Sequence, residues 1–157
     1  MNKKIKDNKG FSLVELIIVI AIMAVLVGVL APAYLRYVEK SRKSADVQAI
    51  DTVMSAMEAA AIDPSLNMAD GHTMTVTLSK DVVKFLSGGD AASKVTQDLE
   101  LTIGKDYKLK SSDWKTIAIT GTVSVGQVEF SYTEELADGG VSLATYAPDL
   151  TAKMTKK

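Results

Sequence analysis

Lys9-Gly10-Phe11-Ser12-Leu13-Val14-Glu15-Leu16-Ile17-Ile18-Val19-Ile20-Ala21-Ile22 decides the reading of this chain. A basic leader ends in glycine, and an apolar run starts at once and continues to Leu30, Ala31 and Pro32. Between Phe11 and Ala31 only Ser12 and Glu15 are plainly polar. At about 1.5 Å per residue such a helix is ~30 Å long, the thickness of a bilayer's hydrocarbon core. This end is therefore expected to enter a membrane as a helix.

Two general readings compete for it. A secretory signal would use Lys3, Lys4, Lys6 and Lys9 as its basic region and Leu16 to Leu30 as its core. Ala31-Pro32-Ala33 imitates its cleavage site, but Pro32 sits in the middle of that site and Glu15 interrupts the start of the core. An ordinary anchor leaves Glu15 unexplained, because carboxylates within apolar spans are costly and mark function. Nor does charge orient it: Arg36, Lys40, Arg42 and Lys43 balance the lysines in front.

The order glycine, phenylalanine, glutamate, apolar run, proline resembles the processing motif of type IV prepilins and pseudopilins. The resemblance implies cleavage between Gly10 and Phe11, methylation of the new amine on Phe11, Glu15 as the family's acidic assembly residue, and Pro32 as the proline within its N-terminal helix. It implies a homopolymer of identical subunits, a prepilin peptidase, a pilus assembly platform with its ATPase, and membrane lipid before assembly. The chain would sit in the cytoplasmic membrane first and in an extracellular fibre afterwards, serving adhesion, twitching motility and biofilm formation. The alternatives are a pseudopilin of a type II secretion or competence (DNA-uptake) apparatus and a membrane-tethered binding domain that never polymerises. Many pilins of Gram-negative bacteria close a C-terminal loop with a disulfide; this chain has no cysteine and looks more like Gram-positive, clostridial pilins.

Physical reasons support those residue types. Glycine lets a protease approach the backbone closely. Glu15 lies one helical turn from Phe11, so the carboxylate and the freed amine can attract within one subunit or between neighbours.

The domains follow from the pattern: residues 1–10 a leader, 11–62 a long helix with a membrane or fibre-core half over 11–35, and 63–157 a globular region. Pro32 and Gly28 weaken the first half, where a kink or an unwinding stretch is expected. Val47, Ile50, Met54, Met57 and Ala61 recur at steps of three and four, the apolar stripe of an amphipathic helix widened by Val53. Asp46, Asp51 and Glu58 fall among its polar positions, and Asp63-Pro64 ends it. A helix of about 50 residues is ~75 Å long, beyond what the rest of the chain can cover, so its first half needs lipid or other copies of itself.

Residues 65–72 read as a loop and Thr73–Leu78 as a strand. Ser79 is expected to cap a helix over Lys80–Leu86 that Gly88-Gly89 ends, and Asp90–Gln97 to form another short helix. From Leu99 the pattern reads as β. Leu99, Leu101 and Ile103 alternate, and with Tyr107 and Leu109 they suggest a hairpin around Gly104-Lys105-Asp106. Ile117–Val125 and Val128–Tyr132 make a second hairpin through a Gly126-Gln127 turn. Val141–Tyr146 suggests an edge strand, and Lys153, Lys156 and Lys157 a loose end. The class is α+β, a long N-terminal helix whose second half covers one face of an antiparallel sheet, which is also the type IV pilin fold.

No chemistry competes with that reading. His72 is the only histidine and has no motif around it. Asp63, Asp70, Asp90, Asp138 and Asp149 occupy loop-like sites without the spacing of calcium ligands and read as solvated turns. No catalytic residue, metal or cofactor is indicated. The formal net charge of -1 gives no ground for a nucleic-acid partner.

Overall fold

The computed structural model describes residues 11–89, 92–104 and 107–156. Residues 1–10, read above as a leader and including Gly10, lie outside them, as do Asp90 and the Lys105-Asp106 pair. The chain divides into two units, Met1–Val38 and Glu39–Lys157.

The long helix expected from the apolar run and stripe is present as α1, Leu13–Ile62, with Pro32 inside it and the helical assignment continuous through that residue. It stops where Asp63-Pro64 stops it; Asp63 Oδ1 accepts from Ser65 N at 2.7 Å and starts the following turn.

In the Glu39–Lys157 unit a five-stranded sheet runs in the order β2-β1-β3-β4-β5. Its strands are β1 Thr73–Ser79, β2 Val83–Gly88, β3 Trp114–Ser124, β4 Gln127–Leu136 and β5 Met154–Lys156. All neighbours are antiparallel except β4 and β5, which are parallel. Met74, Val76 and Leu78 of β1 alternate inward with Ile117, Ile119 and Val123 of β3. A register irregularity between Trp114 and Thr116 lets Trp114 join Ile117 in the core despite the odd spacing. The stripe Ile50, Val53, Met54 and Met57 is buried in the same core, with Val47 and Ala61 half-buried against it. Gly121 marks the tightest part of that packing: a Cβ there would lie 2.8 Å from Val128 Cγ1 and 3.3 Å from Met57 Sδ.

Several expectations need correction. Lys80–Leu86 is not a helix. Ser79 makes a tight turn instead, its Oγ donating to Val82 O at 2.7 Å and accepting from Val82 N at 3.1 Å, and β2 returns alongside β1. Serine opens turns as readily as helices, so its presence did not discriminate. Leu99–Ile103 is not a strand; it belongs to α2, Ala92–Ile103. Leu99 and Ile103 fit periods of two and of four alike, but Val95 completes a step-of-four buried stripe and Leu101 is 78% exposed. The hairpin around Gly104 is absent among the described residues, and Tyr107–Ser112 carries no regular structure.

The hairpin turn falls one residue earlier than expected. Ser124 pairs with Gln127, leaving Val125-Gly126 as the loop with φ of 48° and 75°, the two positive values of a type I′ turn. Val141–Tyr146 is not a strand: Ser142 Oγ accepts from Thr145 N at 3.2 Å and caps the short helix α3, Leu143–Tyr146. After α4, Pro148–Thr151, the tail is not loose but pairs with β4 as β5.

Candidate processing and assembly site

The helix begins at Leu13, three residues past Gly10. Ser12 is its N-cap. Ser12 O accepts the first helical bond from Leu16 N at 3.2 Å, Ser12 Oγ accepts from Val14 N at 3.3 Å, and Glu15 Oε2 accepts from Ser12 N at 2.9 Å. This reciprocal arrangement is a capping box, and it satisfies donors that a helix start leaves without partners. The negative carboxylate also sits where the helix dipole favours it. Phe11 lies outside the helix and is 92% exposed. In this chain it is still peptide-bonded to Gly10, so its nitrogen is an amide rather than the amine that processing would free. The structure thus gives Glu15 a partner that sequence reasoning overlooked, although Ser-x-x-Glu ahead of an apolar run was there to be read.

From Leu13 to Leu30 the large apolar side chains are exposed, and none of the most apolar stretch of α1 is buried. By length and composition it can cross a membrane. Pro32 lies farther along the same exposed stretch.

A second cluster, in the Glu39–Lys157 unit, was not legible beforehand. Asp46, read as a polar-face residue, is 1% exposed. Its two oxygens accept from Lys110 N and Ser111 N, each at 2.8 Å. Glu39 Oε1 accepts from Ser111 Oγ at 2.6 Å and Ser112 N at 2.7 Å. Two carboxylates about two helical turns apart therefore hold the irregular segment that leads into β3. Burial raises the Asp46 carboxyl above its ordinary value, against the two N–H groups that lower it. For Glu39 burial acts the same way, but the bonds from Ser111 and Ser112 prevail and the group lies below its usual value.

Asp113 continues the network. It pairs with Lys43 and accepts from Val141 N at 3.0 Å; these outweigh its burial and lower its pKa. Trp114 Nε1 donates to Val141 O at 2.9 Å, Glu134 Oε2 accepts from Leu143 N at 2.7 Å, and Tyr146 Oη donates to Lys40 O at 3.1 Å. The Lys43 ammonium stands 5.5 Å from the Tyr146 ring centroid. These contacts, with β5, hold the C-terminal region of a chain that has no cysteine to close it.

Among the described residues no three His, Asp or Glu side chains converge as a metal site. His72 Nδ1 lies 2.9 Å from the backbone of Ala69.

The prokaryotic N-terminal methylation motif matches residues 5–31. Fimbrial protein Q of Moraxella bovis is 32% identical over 97 residues, 60% of this chain and 59% of that protein. The chain is thus similar to a fimbrial protein and carries the N-terminal methylation motif. The match spans Gly10, Phe11 and Glu15, and its described part, from Phe11 onward, takes in the capping box and the exposed apolar helix. The chain spans less than two thirds of the length of that fimbrial relative. No solved structure matches it significantly.

Proposed function

We propose that this chain is a type IV pilin, a structural subunit of a type IV pilus. It is held in the cytoplasmic membrane through residues 11–35, cut after Gly10 by a prepilin peptidase and methylated on Phe11. An assembly platform and its ATPase then polymerise it into a surface fibre for adhesion, twitching motility and biofilm formation. It acts by assembling and has no catalysis of its own. The observation that carries this reading is the exposed apolar stretch of α1, which begins beside the cleavage motif and finds no cover within its own unit. Such a surface is stable in lipid or against copies of itself. Glu15 caps its own helix through Oε2, and after cleavage its carboxylate attracts the freed amine of Phe11 in the same or a neighbouring subunit.

The same motif also serves pseudopilins, and the fimbrial relative is what favours the pilus. Mass spectrometry of native material tests the processing: the expected product starts at methylated Phe11, and an intact Met1 in assembled material would refute it. Long surface fibres containing the chain are expected by electron microscopy; short assemblies confined to the envelope would assign it to the secretion or competence class.

A further inference from the structure

The Glu39–Lys157 unit has two chemically opposite ends. At one, the end of α1 meets the β3–β4 turn. Gly71 N donates to Val123 O at 2.8 Å, Asp70 Oδ1 accepts from Val125 N at 2.8 Å, and a groove of about 360 Å³ runs between Ile62 and Gly126. Ile62 is 74% exposed and Val125 86%. The charged side chains around them are mostly acidic, Glu58, Asp63 and Asp70, with Lys94 as the nearby cation.

The seven residues of β1 lead from there to the other end, ~20 Å away at strand rise. The Ser79–Val82 turn and the segment after α2 share that end, because Leu109 N donates to Ser79 O at 3.0 Å. Val82 and Tyr107 are exposed there, and among the described residues the surrounding exposed charged side chains are mostly basic, Lys40, Lys80, Lys108 and Lys110, with Asp81 and Glu135 as opposing charges.

Val125 adds an independent signal. It is β-branched with φ of 48°, in a turn position that favours Asn, Asp or Gly. Folding of the subunit alone gains nothing from an exposed, strained valine there. Strain of this kind points to a role outside the subunit.

We infer that subunits touch head to tail through these ends: the acidic end of one copy, with Ile62 and Val125 at its centre, seats on the basic end of another around Val82 and Tyr107. The occupant is a second copy because each end carries the charge that the other lacks, and each has exposed apolar side chains to pack against the other's. Opposite potentials set the orientation of such a contact. A contact between two different patches of one molecule repeats without closing, which is what a filament needs. The inference rests on the proposed fibre and assigns it a contact outside the apolar helix.

With no cysteine in the chain, engineered thiols report the contact directly. In fibres of Val125→Cys/Tyr107→Cys, mild oxidation should give a ladder of covalent multimers on non-reducing gels, while either single variant should give none. Glu58→Lys and Lys108→Glu should each lower fibre yield about tenfold, and the double variant should recover most of it. Val125→Asn should raise the melting temperature of the detergent-held subunit yet lower fibre yield. Fibres that form without a ladder, and at wild-type yield in both charge reversals, overturn the head-to-tail contact alone. Absence of fibres from the wild-type chain overturns the polymer reading and this contact with it.

Discussion

Asp46→Ala tests the carboxylate that holds the segment before β3. Asp46 is buried and accepts from two backbone N–H groups at 2.8 Å. Truncation orphans both donors, and a buried donor without a partner costs about 1–3 kcal/mol. The two together cost ~2–6 kcal/mol, from which relief of a buried charge subtracts some part. We expect a net loss of about 2–4 kcal/mol, large against a total stability of ~5–15 kcal/mol. Asp46→Asn keeps one acceptor and should fall between. The assay is chemical denaturation of the full chain in detergent, read by the fluorescence of Trp114, which immediately follows this segment, with amide exchange at Lys110 and Ser111 as the local readout. A loss under about 0.5 kcal/mol with unchanged exchange at those amides would refute the reasoning, since it would mean that water satisfies both donors as well as the carboxylate does.

Other outcomes follow from the same geometry. Gly140→Ala would set a Cβ 2.3 Å from the backbone oxygen of Asp113; a main-chain oxygen cannot step aside as a side chain can, so a loss of more than about 2 kcal/mol is expected by thermal melting. Gly121→Ala meets side chains instead, at 2.8 Å from Val128 and 3.3 Å from Met57, and should cost about 1–3 kcal/mol. Glu39 and Asp113 are held below their ordinary values of 4.5 and 3.8, so the stability they contribute is present above those values and lost as pH falls through the lower folded ones. Asp46, raised above 3.8, has the opposite sign and loses stability as pH rises through its window. Melting temperature against pH should therefore lose part of its acid limb in Glu39→Gln and change slope above pH 3.8 in Asp46→Asn. Ser12→Ala removes the cap on Val14 N and should loosen the first turn by about 1 kcal/mol, read as faster amide exchange at Val14 in micelles.

The helix was legible because its causes are local. An apolar run, a stripe at steps of three and four and an Asp63-Pro64 stop need no partner to be recognised. The β3–β4 hairpin was legible for the same reason, with an error of one residue where a valine took a place that turn chemistry gives to asparagine. The N-terminal methylation motif was legible because it lies within one short stretch, residues 5–31. Short elements failed where one pattern served two periods or one serine suited two motifs: Lys80–Leu86, Leu99–Ile103 and Val141–Tyr146 were settled by which strand or helix they packed against.

The sequence by itself determined that a membrane-length apolar helix follows a glycine-phenylalanine junction, that an amphipathic stripe continues beyond it, and that no disulfide closes the rest. Only the tertiary structure decided that Asp46 and Glu39 reach residues 110–112, that the tail returns as a parallel strand, and that acidic and basic surfaces stand at opposite ends of the sheet-bearing unit. The physical reason is range. Periodicity and turn chemistry act over a few neighbouring residues, whereas a carboxylate on a helix and the amides that it holds lie 64 and 65 positions apart and meet only when the core between them has closed.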